Sequence, residues 1–469
     1  MSVLASTCPP TATEPRETEK RHSRWSWLAV MLLAAVTSAA FVLAGRQPLG
    51  ADGDALQYDA LGWNLALGRG FSLETSAPFT PTMFREPLYP AWLAILYRII
   101  GHRPDLVPWF QIPLFAATSV VTYFMGRWLF QEAVGRWAGV ATACFPTLAN
   151  YPSCLLTETL ATLLLVGSVG LLCVGWRRHG LLWWGLVGVV WGGAVLCKAV
   201  MGPLALLAVV GVIAVRAPGR PLRHRMIRGL VLLAGCGLVV APWIMRNQRV
   251  FGAPQISLRG ELALWMRANK VHDSPEQILQ AGLYNFSEYL GQAVFPSASA
   301  SPQEVVLRDS HLALERRQRL TADGLSQVEA DHVMGQEAWR LIQRHPFKYL
   351  LQTPVEWIKL TAFSYLPALN QPQAGEWAAR QPYGRVALSV VRGAFRMLAY
   401  PLLVLGAVGM WRQRHRWQVW WPLGLAIVYV NGVHTLLFGY GRFTVPLIPL
   451  YLLFAAAAVE ASRGKGVEP

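Results

Sequence analysis

Ten predominantly apolar stretches punctuate the chain, at 25–45, 107–129, 133–150, 154–175, 181–198, 201–216, 226–245, 387–410, 417–438 and 443–461. A helix needs about 20 apolar residues to cross a bilayer. Lipid offers the backbone no hydrogen-bond partner, so a spanning segment must satisfy its own N–H and C=O groups. A chain cut up in this way is expected to be an all-α polytopic membrane protein with about ten transmembrane helices. Only 14% of its 469 residues are charged and 54% are apolar, against about 25% charged in a soluble domain.

The formal net charge of +16 raises the question of nucleic acid. The distribution answers it. Arg177, Arg178, Arg216, Arg220, Arg223, Arg225, Arg228, Arg412, Arg414 and Arg416 fall in or beside short gaps between apolar stretches, the bias of cytoplasmic loops. No nucleic-acid partner is expected, and membrane lipids are. Four basic clusters, at 176–180, 217–225, 411–416 and Arg463/Lys465, agree on one orientation, with both termini cytoplasmic. The six cysteines are scattered without a CxxC pair and read as small apolar residues.

The expected organisation is a disordered cytoplasmic tail (1–24), a transmembrane module (25–245) with a first outer loop (46–106), an extracytoplasmic domain (246–386), C-terminal spans (387–461) and a short cytoplasmic tail (462–469). Two apolar segments stay out of the span count. Residues 87–100 are too short to cross comfortably, and 347–366 are interrupted by Pro354, Glu356 and Lys359, so both are expected as helices lying at the outer surface.

The chemistry concentrates on that outer side. Asp52, Asp54, Asp59 and Glu86 lie in or beside the first loop, with Tyr58 one helical turn after Asp54 and with Arg85 and Tyr89 close to Glu86. A transferase with a lipid-phosphate leaving group needs a carboxylate base near the acceptor and cations on the phosphate; Asp54 suits the first role and Arg85 the second. The same acids can equally solvate a loop or cap a helix. Glu158 is expected about one turn inside the fourth span, where an ionisable group is costly and marks function; the bland alternative is a side chain reaching water. Lys198, Arg246 and Arg442 stand at outer span ends against the positive-inside trend and suit an anionic head group or simple lipid anchoring. His434 reads as structural. Asp52, Asp54 and Glu158 leave room for a divalent cation without requiring one, and no metal site is assigned. There is no P-loop, GxGxxG, HExxH or nucleophile elbow, which argues for a lipid-linked rather than a nucleotide-sugar donor.

The first-loop acid with its Tyr, then Asn64-Leu-Ala-Leu-Gly68-Arg-Gly70-Phe71-Ser72, Arg85-Glu-Pro-Leu-Tyr-Pro, Leu-Thr-Glu158-Thr-Leu, Ala241-Pro-Trp-Ile-Met-Arg-Asn-Gln-Arg-Val-Phe-Gly252 and Arg442-Phe-Thr-Val-Pro-Leu-Ile-Pro resemble the GT-C glycosyltransferases. More narrowly they resemble the bacterial relatives of the dolichyl-phosphate-mannose–protein mannosyltransferases and of the aminoarabinose transferase of lipid A. That resemblance implies the GT-C fold, a polyprenyl-phosphate sugar donor, inverting transfer to a glycan, lipid or protein acceptor, and a cavity at the outer face of a bacterial inner membrane. It implies Asp54 as catalytic base, Glu158 as the second acid and Arg85 on the donor phosphate with Lys198, Arg246 or Arg442, the cavity also holding Asp52, Tyr58, Glu86 and Tyr89. Ala55 departs from the Asp-Glu pair common in aminoarabinose transferases. The rival readings are a lipid-linked oligosaccharide flippase or transporter, a membrane scaffold, and an enzyme of the O-antigen ligase or polymerase kind.

Overall fold

The computed structural model describes residues 17–44, 53–178, 180–216, 221–286, 288–296, 302–361 and 380–463, and every regular element among them is helical. The first half holds α1 (Glu17–Ala44), α2 (Gly53–Ala66), α3 (Leu88–Ile100), α4 (Val107–Leu129), α5 (Glu132–Cys144), α6 (Pro146–Asn150), α7 (Glu158–Arg178), α8 (Leu181–Cys197), α9 (Met201–Ala214) and α10 (Leu222–Phe251). Shorter helices follow: α11 (Gly260–Asn269), α12 (Pro275–Phe286), α13 (Glu288–Val294), α14 (Pro302–Ala322), α15 (Gln327–Arg344), α16 (Pro346–Leu351) and α17 (Thr353–Thr361). The chain then returns to apolar helices with α18 (Gly384–Met397), α19 (Ala399–Arg412), α20 (Trp417–Leu437) and α21 (Ile448–Arg463).

Seven helical segments among the described residues are long and apolar enough to cross a membrane: Ser26–Ala44, Pro104–Leu129, Glu158–Trp176, Leu222–Phe251, Val386–Arg412, Arg414–Leu437 and Gly441–Arg463. They match seven of the ten expected spans. The stretches 181–198 and 201–216 form α8 and α9, apolar helices of 17 and 14 residues. The stretch 133–150 is not one helix. Phe145 turns extended before Pro146, which clashes with a helical predecessor, and the chain restarts as α6. The segment 347–366 is also divided: α16 ends at Leu351, Gln352 intervenes, Pro354 sits in the first turn of α17, and 362–366 lie outside the described residues. Helix α1 begins at Glu17, inside the stretch expected as a tail, while 1–16 and 464–469 lie outside the described residues.

Glycines decide how closely the long helices approach. A Cβ on Gly188 of α8 would collide with the Leu232 carbonyl of α10, and one on Gly192 would come within 2.7 Å of the Val239 Cβ. A Cβ on Gly409 of α19 would strike the Phe454 carbonyl of α21. Packing of this kind replaces the hydrophobic drive that lipid does not supply. It also fixes the end of α8, where Lys198 emerges.

Lys198 pairs with Glu158 and Arg442 lies beside it, whereas Arg225 bonds the carbonyl of Ile213 near the far end of α9 and Arg412 that of Ala458 near the far end of α21. The basic turns at Arg216, Arg223, Arg225, Arg412, Arg414, Arg416 and Arg463 therefore lie at the helix ends opposite Glu158, Lys198 and Arg442. At the latter end the shorter helices build a second apolar core around Leu258, Leu262, Trp265, Met334 and Tyr349. Met83 and Phe84 of the first loop are part of it. The loop after α2 and the domain of short helices therefore share one interior.

Gly188→Val is expected to cost about 1–3 kcal/mol by overpacking, seen as a lower melting midpoint in detergent. Gly237→Val on α10 is the control, since a Cβ there meets nothing within 4 Å, and its midpoint should stay put.

Candidate functional site

Asp54 lies in the first turn of α2. The segment that faces it is folded back by a tight loop: Gly68 (φ 73°) and Gly70 (φ 89°) take left-handed backbone that favours glycine, and the Asn64 amide donates to the carbonyls of Ser72 (2.9 Å) and Glu74 (2.8 Å). Thr82 N–H then donates to the Phe71 carbonyl, and the Met83 carbonyl accepts from Leu258 N–H. This returns Phe84-Arg85-Glu86 to the face of α2 that carries Asp54 and Tyr58.

The Asp54 carboxylate is shared. Arg85 Nη2 pairs with Oδ1, Arg442 Nη2 pairs with Oδ2, and Arg259 Nη1 lies 3.7 Å from Oδ1. Burial works to raise the carboxyl pKa, but the charges of Arg442, Arg85 and Arg259, with the Arg85 hydrogen bond, outweigh it and hold the group well below the usual carboxylate range. Arg442 reaches a second acid: its Nε is 3.8 Å from Glu158 Oε1, which also pairs with Lys198 Nζ at 3.0 Å. The result is one chain of charge, Arg85–Asp54–Arg442–Glu158–Lys198, with Arg259 alongside. Glu86 is close enough to act on Arg85 and Arg259. Counting it, four cations (Arg85, Arg259, Arg442, Lys198) meet three carboxylates (Asp54, Glu158, Glu86), an excess of one positive charge.

Each cation arrives on a separately anchored segment. Glu86 Oε1 accepts from Ser257 Oγ (3.0 Å) and Ala199 N–H (3.3 Å), the neighbourhoods of Arg259 and Lys198. Glu356 Oε2 accepts from Gly439 N–H at 2.9 Å, three residues before Arg442. Glu356 is itself buried and paired with Lys270 (2.6 Å) and Lys359 (3.3 Å). Those two ammonium groups outweigh the effect of burial and hold its carboxyl at about 2.

The structure alters several assignments made from sequence. Arg85 is 3% exposed, and its guanidinium donates to Gln57 Oε1 (2.7 Å), Tyr58 Oη (3.5 Å) and Asp54, so it braces Asp54 instead of presenting a free grip for phosphate. Tyr58 is buried beneath it. Tyr89 is fully buried, its hydroxyl on Gln111 and its ring against Tyr58 and Trp92, and lines no open cavity. Arg246 stands apart from the cluster: Nη1 donates to the Thr82 carbonyl and Asn247 Oδ1, both at 2.8 Å, among the rings of Phe71, Trp243 and Phe251. Glu158 is the first residue of α7, not a turn inside it, because 154–157 are non-helical after the Tyr151–Ser153 turn. A carboxylate is favoured at that helix end. Asp59 turns away to Tyr97 and His102. Asp52 lies outside the described residues, and no group of three or more His, Cys, Asp or Glu side chains with metal-binding placement occurs among those described. His434 stacks on Phe443, behind Arg442.

Arg259 escaped the sequence reading. Its signal lies in the motif before it: Trp243 Nε1 donates to the Ile256 carbonyl and Asn247 Nδ2 to that of Gln255, so the Ala-Pro-Trp-Ile-Met-Arg-Asn-Gln run anchors the turn that delivers Ser257-Leu258-Arg259.

Asp54→Ala should strand the buried Arg85 charge and destabilise the protein by about 3 kcal/mol. Adding Arg85→Met should recover most of the loss, read from melting midpoints of the single and double variants. Additive losses would mean that the two side chains are not coupled.

Residues 85–245 match the family described as dolichyl-phosphate-mannose-protein mannosyltransferase. No curated protein matches the chain in sequence. Among solved structures, the oligosaccharyltransferase AglB of Archaeoglobus fulgidus, in complex with an inhibitory peptide and a dolichol-phosphate, superposes with a TM-score of 0.51 at 14% identity over 94% of this chain and 51% of its own. An Archaeoglobus fulgidus oligosaccharyltransferase in complex with Zn and sulfate gives 0.52 at 13% identity, over 93% of this chain and 49% of its own. ArnT from Cupriavidus metallidurans in the apo state superposes more loosely, with a TM-score of 0.37 at 14% identity over 92% of this chain and 76% of its own. The chain thus spans about half the length of the archaeal oligosaccharyltransferase chains it matches. It has the GT-C fold of these structures, and its residues 85–245 are similar to the protein mannosyltransferase family.

Proposed function

We propose that the protein transfers a sugar from a polyprenyl-phosphate carrier to an acceptor hydroxyl at the outer face of a bacterial-type inner membrane, with inversion at the anomeric carbon. The observation that carries this reading is the linked cluster Asp54–Arg442–Glu158–Lys198 with Arg259, at the bundle end opposite the basic turns. A phosphate leaving group needs cations that are not fully committed. Arg442, Lys198 and Arg259 keep 14%, 16% and 29% of their side chains exposed, unlike Arg85. They are assigned the donor phosphate.

The acceptor oxygen attacks the anomeric carbon as the bond from that carbon to the phosphate oxygen breaks. The hydroxyl proton passes to Asp54, and polyprenyl phosphate leaves on the cations. A carboxylate gripped by three guanidiniums is a weak base. The incoming phosphate competes for Arg442, one of the cations that depress Asp54, so donor binding raises the basicity of the group that must accept the proton. Glu158, itself paired with Lys198, lies 3.8 Å from Arg442 Nε and keeps that side chain near both Asp54 and the phosphate. A carboxylate general base contributes about 10²–10⁴ in rate.

Deleting the gene should change the mass of an envelope glycan, and the wild-type chain should restore it. Asp54→Asn, folded and inserted, should restore less than about one per cent of the transfer while the purified protein in nanodiscs still binds undecaprenyl phosphate. Arg442→Gln should weaken that binding and, by removing a charge that lowers the Asp54 pKa, move the acid limb of the pH–rate profile upward. Native transfer by Asp54→Asn would remove the base from the mechanism. Lipid movement across proteoliposomes without transfer would favour a flippase.

A further inference from the structure

A cavity of about 230 Å³ lies beside the charge cluster, walled by Gln57, Leu73, Thr82 and Phe84 from the α2 loop and by Leu314, Arg317, Gln318, Thr321 and Gln327 from α14 and the start of α15. Its link to Asp54 is short. Gln57 is three residues further along α2, on the neighbouring turn, and accepts from Nε of the same Arg85 whose Nη2 pairs with Asp54.

The walls have a defined chemistry. Three carboxamides and two hydroxyls can each both donate and accept hydrogen bonds, Leu73, Leu314 and Phe84 supply carbon surface, and no carboxylate lines the space. Arg317 lies over the Phe84 ring at 4.6 Å, and its Nε is 3.7 Å from Asp331 Oδ1, too long for a hydrogen bond. Neither Nε nor Nη2 of Arg317 donates a hydrogen bond among the described residues. The volume falls below the ~300–1,000 Å³ of sites for drug-sized ligands. A space of this size, walled by carbon surface and by hydrogen-bonding groups, suits one polar ring.

We propose that this cavity is the acceptor subsite and takes a single sugar ring of a glycan acceptor, with Arg317 and the carboxamides on its hydroxyls and Phe84 and the leucines against its carbon face. This rests on the transferase reading above, in which Asp54 accepts the acceptor's proton. The ring seated here orients the acceptor so that a hydroxyl at its edge meets Asp54. Bonds formed in the cavity go to the acceptor alone, so they govern acceptor use without touching the donor phosphate.

Thr321 is half-buried and Gln318 exposed, both on the α14 wall, so Thr321→Trp and, separately, Gln318→Trp fill the space from the protein's surface; Thr321→Val is the control for loss of the hydroxyl. The purified chain in nanodiscs is probed by saturation-transfer NMR with glucose, N-acetylglucosamine and glucuronate, by undecaprenyl-phosphate binding, and by rescue of the envelope glycan in cells lacking the gene. Both Trp variants should lose the sugar signal and at least about tenfold in transfer, with lipid-phosphate affinity changed less than about twofold. Native transfer by either folded Trp variant, a sugar signal that survives filling, no sugar signal in the wild type, or a product that proves to be a glycopeptide would each overturn the subsite. Absence of both lipid-phosphate binding and glycan rescue in the wild type would overturn the transferase reading instead. A sugar signal abolished by Trp in that case would still establish the cavity as a sugar site.

Discussion

Everything at this end of the molecule is organised around the carboxylate of Asp54. It is the one anion on which Arg85, Arg259 and Arg442 converge, side chains delivered by the first loop, the turn after α10 and the segment before α21. Without it three guanidiniums would face one another in a space that excludes most water, where like charges repel strongly. Phe84 marks how tight the gathering is: Arg85, Arg259 and Arg317 all lie over its ring, at 5.4, 5.7 and 4.6 Å. Cation–π contacts contribute about 0.5–2 kcal/mol each, too little to offset such repulsion without the carboxylate.

Two further acids do the mechanical work. Glu86 ties the flanks of Lys198 and Arg259 to the first loop, and Glu356 ties Gly439, and with it the approach to Arg442, to the domain of short helices. Gly439 has no room for a side chain there, since a Cβ would collide with the Glu356 carbonyl. A buried acid between two lysines is a poor source of net stability, because desolvation consumes most of the Coulomb gain. Its value lies in direction: the paired carboxylate can accept only from a backbone held in one place, and that fixes where Arg442 emerges.

Much of this was legible in the chain. Apolar length predicts the long helices because the bilayer sets a minimum, and Pro146 inside 133–150 was a visible sign that one stretch would break. Asp54, Arg85, Glu158, Lys198 and Arg442 could be picked out as charges misplaced in an apolar protein, and the structure brings all five together, with Asp54 and Arg442 388 residues apart in sequence. Their partners could not be read. Arg246 has the same local signature as Lys198, yet it spends its donors on a backbone carbonyl and an amide. Tyr89 sits three residues from Glu86 but on the inward side of α3, where tertiary packing and not spacing decides exposure. Arg259 lies in a loop without periodicity, and only the fold shows that the motif before it aims that loop at Asp54.

Under the proposed function, the surplus of cations over carboxylates at the site serves the donor phosphate. A fully neutralised cluster would be more stable, but a phosphate would have to break an existing pair for each bond it made. An excess of one positive charge leaves the cluster under mild repulsion that an incoming anion relieves, so part of the binding energy is stored in the folded protein beforehand. An anion that binds only this folded arrangement stabilises it by mass action. Arg442 is shared between Asp54 and Glu158, so in the proposed transfer its movement toward a phosphate would leave Glu158 paired to Lys198 while Asp54 gained basicity.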